Sequence, residues 1–404
     1  MVFVLGVILF ALGITASIAL HEAGHMWAAR ATGMKVRRFF IGFGPKVFSF
    51  RRGETEYGLK AIPAGGFCDI AGMTAIDELE PDEIDRAMYR QKTWKRIVVM
   101  LGGIGMNFVL GFVLIFVLAV GWGLPNLNPP TNALVGQMPC VTATQNEDLT
   151  YPGCSGPSPA FEAGIREGDV IVSVDGTPTA DFSDVVKTTQ PLSGTVDFVV
   201  ERNGSELTFP VDVQQVQRWV SDGTESGRES RTVGAVGVQL AQFYPTKYNP
   251  LAAIPASVAF TGDMFVETAH RLVEMPSKVA DLWTSVTGGE RDVNTPISVV
   301  GASVIGGQLV ERSLWQVFVL LLASLNFFLG IFNLLPLLPL DGGHMAVTLY
   351  ERIRNFFRNR RGLPNGGPVD YMKLMPVTYV VIVLGGAYML LTLTADIVNP
   401  IQLF

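Results

Sequence analysis

The chain has 404 residues, of which 49% are hydrophobic and only 16% charged, and its formal net charge is −6. A soluble domain of average make-up carries about 25% charged residues, so the composition argues against an ordinary water-soluble enzyme and equally against a disordered chain. The length suits about two or three domains, and without a concentrated basic surface no nucleic-acid partner is expected.

All 30 Lys and Arg fall within 30–96, 166–312 and 352–373, leaving 1–29, 97–124, 313–350 and 374–404 without a basic residue. Each of these four intervals holds an apolar run able to cross a hydrocarbon core of roughly 30 Å. The expectation is therefore an α-helical integral membrane protein with transmembrane helices at 1–29, 97–124, 313–350 and 374–398. The loop 30–96 has thirteen basic and nine acidic residues, 351–373 has six and two, and 125–312 has eleven and twenty-two. Because short cytoplasmic loops are enriched in Lys and Arg, both basic loops are expected in the cytoplasm, with the acidic segment and both termini outside. The first interval has no basic n-region and no small-residue cleavage site, so it reads as a retained helix.

Glu22, Asp341 and Asp396 are the only acidic residues in the four intervals. Ionisable groups at membrane depth are costly and mark function by default. Asp396, close to the end of the last interval, is expected to reach the interface. Glu22 belongs to His21-Glu22-Ala23-Gly24-His25. Two imidazoles four residues apart share one helix face and can bind one Zn²⁺, while Glu22 addresses the attacking water.

In the first loop, 46–62 has a turn signal at Arg52-Gly53 and alternation around Glu56 to Lys60, which predicts a β-hairpin. The second span opens with Gly102-Gly103-Ile104-Gly105-Met106-Asn107. Small residues let membrane helices approach closely, and Asn107 serves either that packing or the neighbouring site. Outside, Ser158-Pro-Ala160-Phe-Glu-Ala-Gly164 to Asp175-Gly176 resembles the central motif of a bacterial protease PDZ domain, and Val233 to Val238 resembles its closing strand. An α+β domain is expected over 130–240. Cys140 and Cys154 lie in this outer segment, where a disulfide is allowed and would close a loop of about 15 residues for ~3 kcal/mol. Apolar residues at helical spacing (Leu272, Met275, Val279, Leu282, Val286) predict amphipathic interfacial helices within 248–312.

The third span ends in Asn333-Leu-Leu-Pro336-Leu-Leu-Pro339-Leu-Asp341-Gly342-Gly343-His344. Prolines and glycines interrupt an apolar run, and unwound backbone at membrane depth is tolerated where it lines a buried cavity. A catalytic zinc usually has three protein ligands, and Asp341 is the acidic candidate for the third. His344 is either a supporting partner or a helix cap.

HExxH in the first span, Asn-x-x-Pro…Leu-Asp-Gly in the third and a PDZ-like insert between spans two and three together resemble the site-2 protease family of intramembrane zinc metalloproteases. The likeness covers nearly the whole chain and is greatest for the bacterial envelope-stress branch. It implies one Zn²⁺ held by His21, His25 and Asp341, Glu22 as general base, and Asn333 and Pro336 as substrate-contacting positions. It also implies a membrane re-entrant hairpin, a peptide or C-terminus at the PDZ groove, and a bacterial cell membrane location with the metal toward the cytoplasm. The implied substrates are single-span anti-sigma factors already cut outside the membrane. Pro339 stands one residue later than the corresponding family proline. Two other functions fit the same features less fully: a non-proteolytic PDZ scaffold, and a membrane metal hydrolase acting on lipidated substrates.

Overall fold

A computed structural model describes residues 1–127, 132–146, 151–221, 228–241, 245–289, 291–292 and 294–401. The expected start of the inserted domain, at residue 130, lies outside them. The chain divides into two units, Met1–Leu124 with Thr246–Phe404, and Pro125–Pro245.

The first unit begins with helix α1 (Val2–Ala31), a hairpin of β1 (Val36–Arg52) and β2 (Thr55–Ile70), and helix α2 (Thr93–Gly121). The hairpin is longer than 46–62 and folds back on itself. Gly42 and Gly44, with φ of 87° and 80°, bend β1, so Phe40 lies opposite both Phe67 and Gly58. The hairpin's base is fixed in an apolar cluster in which Met34, Val36 and Ile70 meet Ala23, Met26 and Ala29 of α1 and Val99 and Met100 of α2. That packing holds the returning segment of β2 beside the last third of α1.

In the second unit, α3 (Pro159–Ala163), β3 (Val170–Val174), β4 (Thr177–Pro178), α4 (Phe182–Thr189), β5 (Gly194–Arg202), β6 (Ser205–Ser221) and β7 (Arg228–Ala235) form a β-rich domain. Its antiparallel sheet has the order β4-β3-β5-β6-β7. Alternation along β5 turns Val196, Phe198 and Val200 into a core with Ile165, Ile171, Val211 and Val213, as a one-sided sheet requires. Ser158 caps α3 by accepting from Phe161 N, and Asp181 caps α4 by accepting from Asp184 N. Cys140 and Cys154 are joined by a disulfide, Cα atoms 6.0 Å apart.

The first unit resumes with α5 (Pro250–Glu274), α6 (Val279–Val286), α7 (Val299–Glu311), α8 (Trp315–Asn333), α9 (Asp341–Arg360) and α10 (Met375–Val398). Helices α1, α2, α8 and α10 are long and apolar enough to cross a membrane. Val4, Leu5, Ile8 and Leu12 of α1 and Val377, Val380, Val383 and Leu384 of α10 point outward, the arrangement of a helical membrane protein whose apolar surface meets lipid.

Three expectations change. The last part of 248–312 is not an interfacial amphipathic helix: α7 is buried against α1, because Gly306 and Gly307 let the backbones close in. A Cβ on Gly306 would lie 2.7 Å from Phe10 Cβ, and one on Gly307 the same distance from Val7. The third apolar interval is not one helix either. It breaks after Asn333, and α9 starts at Asp341 and runs on to Arg360, into the stretch expected as a loop. Asp396, expected at the interface, is buried and paired with Arg291 at 2.6 Å, the two side chains 3% and 2% exposed. It also accepts from Ser298 N at 2.6 Å, which ties the end of α10 to the start of α7.

Candidate metal centre

Helix α1 brings His21 and His25 onto one face, and the break before α9 delivers Asp341 to them. The two Nε2 atoms are 3.1 Å apart, and Asp341 Oδ2 lies 3.3 Å from that of His21 and 3.2 Å from that of His25. Asp341 is the first residue of α9. The two glycines that follow are required by crowding: a Cβ on Gly342 would lie 2.3 Å from Leu335 O, and one on Gly343 would lie 2.6 Å from Leu338 N. The turn thus folds tightly onto the helix start, which is what aims the carboxylate at α1.

Helix α2 fixes both rings from behind. His25 Nδ1 is 2.8 Å from Val99 O. A carbonyl only accepts, so Nδ1 carries the proton and Nε2 presents its lone pair to the centre. His21 Nδ1 is 3.1 Å from the Asn107 amide, whose Oδ1 is buried without a donor. Turning that amide over lets Oδ1 accept from His21 Nδ1–H, which frees His21 Nε2 for a metal in the same way. The approach of α2 depends on glycine. A Cβ on Gly24 would lie 2.1 Å from Gly102 O, and one on Gly103 would lie 2.3 Å from His25 Nε2.

The residues fit a metal. Three donor atoms converge, and Asp341 Oδ2 is buried with no hydrogen-bond partner. Bonds of about 2.0–2.1 Å in a tetrahedron put neighbouring ligand atoms about 3.3 Å apart, close to the three separations above. Two imidazoles and a carboxylate form a borderline donor set that suits Zn²⁺. Glu22 lies beside the cluster, against the hairpin: a Cβ on Gly66 would be 3.3 Å from its Cγ.

The other candidate residues lie as follows. Asn333 donates Nδ2–H to Leu329 O of its own helix, and Pro336 is exposed in the turn that follows. His344 faces Tyr371, its Nδ1 3.1 Å from the hydroxyl and the rings stacked at 5.6 Å. Sequence reasoning did not identify Tyr371, nor the buried ion pair of Arg96 on α2 with Glu351 on α9. Only the pairing of distant residues gives either one significance.

Comparisons with known proteins bear on this geometry. The family model for peptidase family M50 matches residues 9–376. The zinc metalloprotease Rip1 of Mycobacterium tuberculosis (strain ATCC 25618 / H37Rv) is 54% identical over 404 residues, covering all of both chains. Rip1 of Mycolicibacterium smegmatis is 52% identical over 409 residues with the same full coverage, and the metalloprotease MmpA of Caulobacter vibrioides is 28% identical over 374 residues, 86% of each chain.

Proposed function

We propose, from the premise that this chain belongs to peptidase family M50, that His21, His25 and Asp341 hold one zinc ion and that Glu22 is the general base for peptide-bond hydrolysis. The chain is an intramembrane zinc metalloprotease of the type that carries out regulated intramembrane proteolysis. The observation carrying the residue assignment is the convergence of the three donor atoms, within 3.3 Å of one another, beside Glu22.

When bound, zinc supplies Lewis acidity, activating water near neutral pH and polarising a carbonyl. Glu22 takes the proton of the attacking water and delivers it to the leaving nitrogen, which requires both within hydrogen-bond reach. His25 and His21 keep their Nε2 lone pairs forward through Val99 O and Asn107. A helical substrate hides its amides in intrahelical bonds. The β2 segment 66–70 pairs with β1 on one side and has no strand partner on the other among the described residues. That edge suits strand addition, which would hold the substrate extended next to Glu22; this is the use we assign to the hairpin, re-entering the membrane.

The charge distribution supports placing loops 30–96 and 351–373 in the cytoplasm, with both termini and the 125–245 domain outside. His25 is about a turn from Arg30, so the cut falls toward the cytoplasmic side and the product leaves there. The outer domain acts as a PDZ module admitting substrates trimmed outside. Its substrates are single-span membrane regulators such as anti-sigma factors, cut at a second step. The test is cleavage of a tagged single-span reporter in proteoliposomes. Wild type should cut within the span and Glu22→Ala should not; cleavage by Glu22→Ala at the wild-type rate would overturn the assignment.

A further inference from the structure

Away from the metal centre, the start of α2, the body of α9 and the turn 365–368 enclose a cleft of about 750 Å³. Its charge is one-sided: Arg90, Arg96, Arg352, Arg354 and Arg360 line it against a single carboxylate, Glu351. Arg96 is only 6% exposed and bonds Glu351 through Nη1, yet its Nε has no acceptor. Arg354 donates Nη2–H to Gly367 O and likewise leaves Nε without a partner. A buried guanidinium is tolerated when its donors are satisfied. Here Arg96 is buried while Arg90, Arg352 and Arg360 are exposed and Arg354 is half-buried; five guanidiniums around one carboxylate leave an electropositive hollow, the chemistry of a phosphate receptor.

The surface beside the cleft indicates where that phosphate comes from. Leu349, Tyr350, Ile353, Phe356 and Phe357 are all exposed on α9, spaced i, i+1, i+4, i+7 and i+8, so they form one apolar stripe on the helix. Its Arg354 and Arg360 guanidiniums stack over Tyr350 and Phe356 at 5.8 and 4.6 Å, joining the basic hollow to the apolar stripe. A soluble phosphate has no use for such a stripe; an acyl chain does.

We propose that this cleft binds the phosphodiester headgroup of an anionic membrane lipid, with the acyl chains along the exposed stripe of α9. Basic hollows between helices on the side rich in Lys and Arg are suited to such headgroups. The position has a consequence for the metal centre. Glu351 lies ten residues along α9 from Asp341, about 15 Å of helix. A headgroup spanning Arg90 and Arg96 on one wall and Arg352, Arg354 and Arg360 on the other clamps α9 to α2, and α9 carries Asp341.

The test uses the purified full-length protein in zwitterionic nanodiscs, titrated with phosphatidylglycerol and read by lipid retained per chain in native mass spectrometry. One triple variant removes exposed cleft charges (R90Q, R352Q, R360Q) and another removes three charges elsewhere (R51Q, R361Q, K373Q). Wild type and the second variant should retain one phosphatidylglycerol in preference to phosphatidylcholine. The cleft variant should bind about a hundredfold more weakly, at the scale of one juxtamembrane basic residue each. Equal weakening in both variants, or equal retention of phosphatidylcholine, overturns the proposal. So does binding of glycerol 3-phosphate as tight as that of the lipid, which would make the ligand a soluble phosphate. None of these readouts involves proteolysis, so this proposal and the catalytic assignment fail separately.

Discussion

Replacing Gly24 by alanine adds one carbon atom where α1 crosses α2. Its Cβ would lie 2.1 Å from Gly102 O and 2.6 Å from Gly102 C, both backbone atoms that no side-chain rotation can move away. Contacts under 3.0 Å are essentially never seen for a Cβ, so the two helices must separate by about 1 Å, a lower bound on the movement that protein packing imposes. His25 is the next residue, held by Val99 O of α2 at 2.8 Å. The same movement stretches that bond past hydrogen-bonding length and distorts the triangle of donor atoms. A misplacement of about 1 Å near reacting groups costs about a hundredfold in rate, and loss of a partner behind a ligand costs about 10–100-fold in metal affinity. Helix propensity alone gives the opposite sign, since Gly→Ala favours a helix by about 1 kcal/mol. Gly105→Ala, on α2 with nothing within 4 Å of its Cβ, is the control. Initial rates on the single-span reporter, with zinc affinity by competition against a chelator, measure both effects. A Gly24→Ala protein that cuts within threefold of wild type would refute the reasoning.

Three further outcomes follow from other parts of the structure. Asn107→Leu should weaken zinc binding about 10–100-fold, and Asn107→Asp, which keeps an acceptor for His21 Nδ1–H, should recover most of it in the same chelator competition. Arg291→Ala leaves the Asp396 carboxylate buried and unpaired, a loss of about 3–5 kcal/mol seen as a lower midpoint of thermal inactivation, whereas Arg291→Met with Asp396→Leu should stay near wild type. In the outer domain, burial pushes the Asp169 carboxyl up, but bonds from Arg202 and from Arg166 N–H outweigh it and hold the group below its usual range. A depressed carboxylate stabilises the fold fully above its unfolded pKa of about 4 and loses that contribution as pH falls through the folded value. Hydrogen exchange in β3 and β5 should therefore accelerate below about pH 4 in wild type and show no such acid step in Asp169→Asn.

The candidate metal centre was legible because its signals are local or rare. His21 and His25 share a face by spacing alone, and Asp341 is conspicuous in an interval that holds no other acid before Glu351. Zinc and the peptidase family followed from those residues. What the sequence hid is pairing over long separations. Asp396 was as rare as Asp341, but its partner Arg291 lies over a hundred residues away in a charged stretch, so nothing local distinguished a buried ion pair from an interfacial carboxylate. For α7, an apolar helix reads alike whether it lies on lipid or against protein; the Gly306-Gly307 pair was the available clue, and its meaning depends on Phe10 and Val7 opposite. The hydrogen bonds behind the two rings, His25 Nδ1 to Val99 O and His21 Nδ1 to the Asn107 amide, are a property of how α2 crosses α1 and have no sequence signature beyond the glycines.

The central claim is that His21, His25 and Asp341 together hold one zinc ion. X-ray absorption at the zinc edge of the purified wild-type chain, with metal content measured on His21→Ala, His25→Ala and Asp341→Ala, tests it most directly. The account predicts one zinc per chain with two imidazole nitrogens and a carboxylate oxygen at about 2.0–2.2 Å, and zinc lost or weakened in each variant while Glu22→Ala retains it. A wild-type protein with sulfur ligation, or undiminished zinc binding in all three variants, would contradict it.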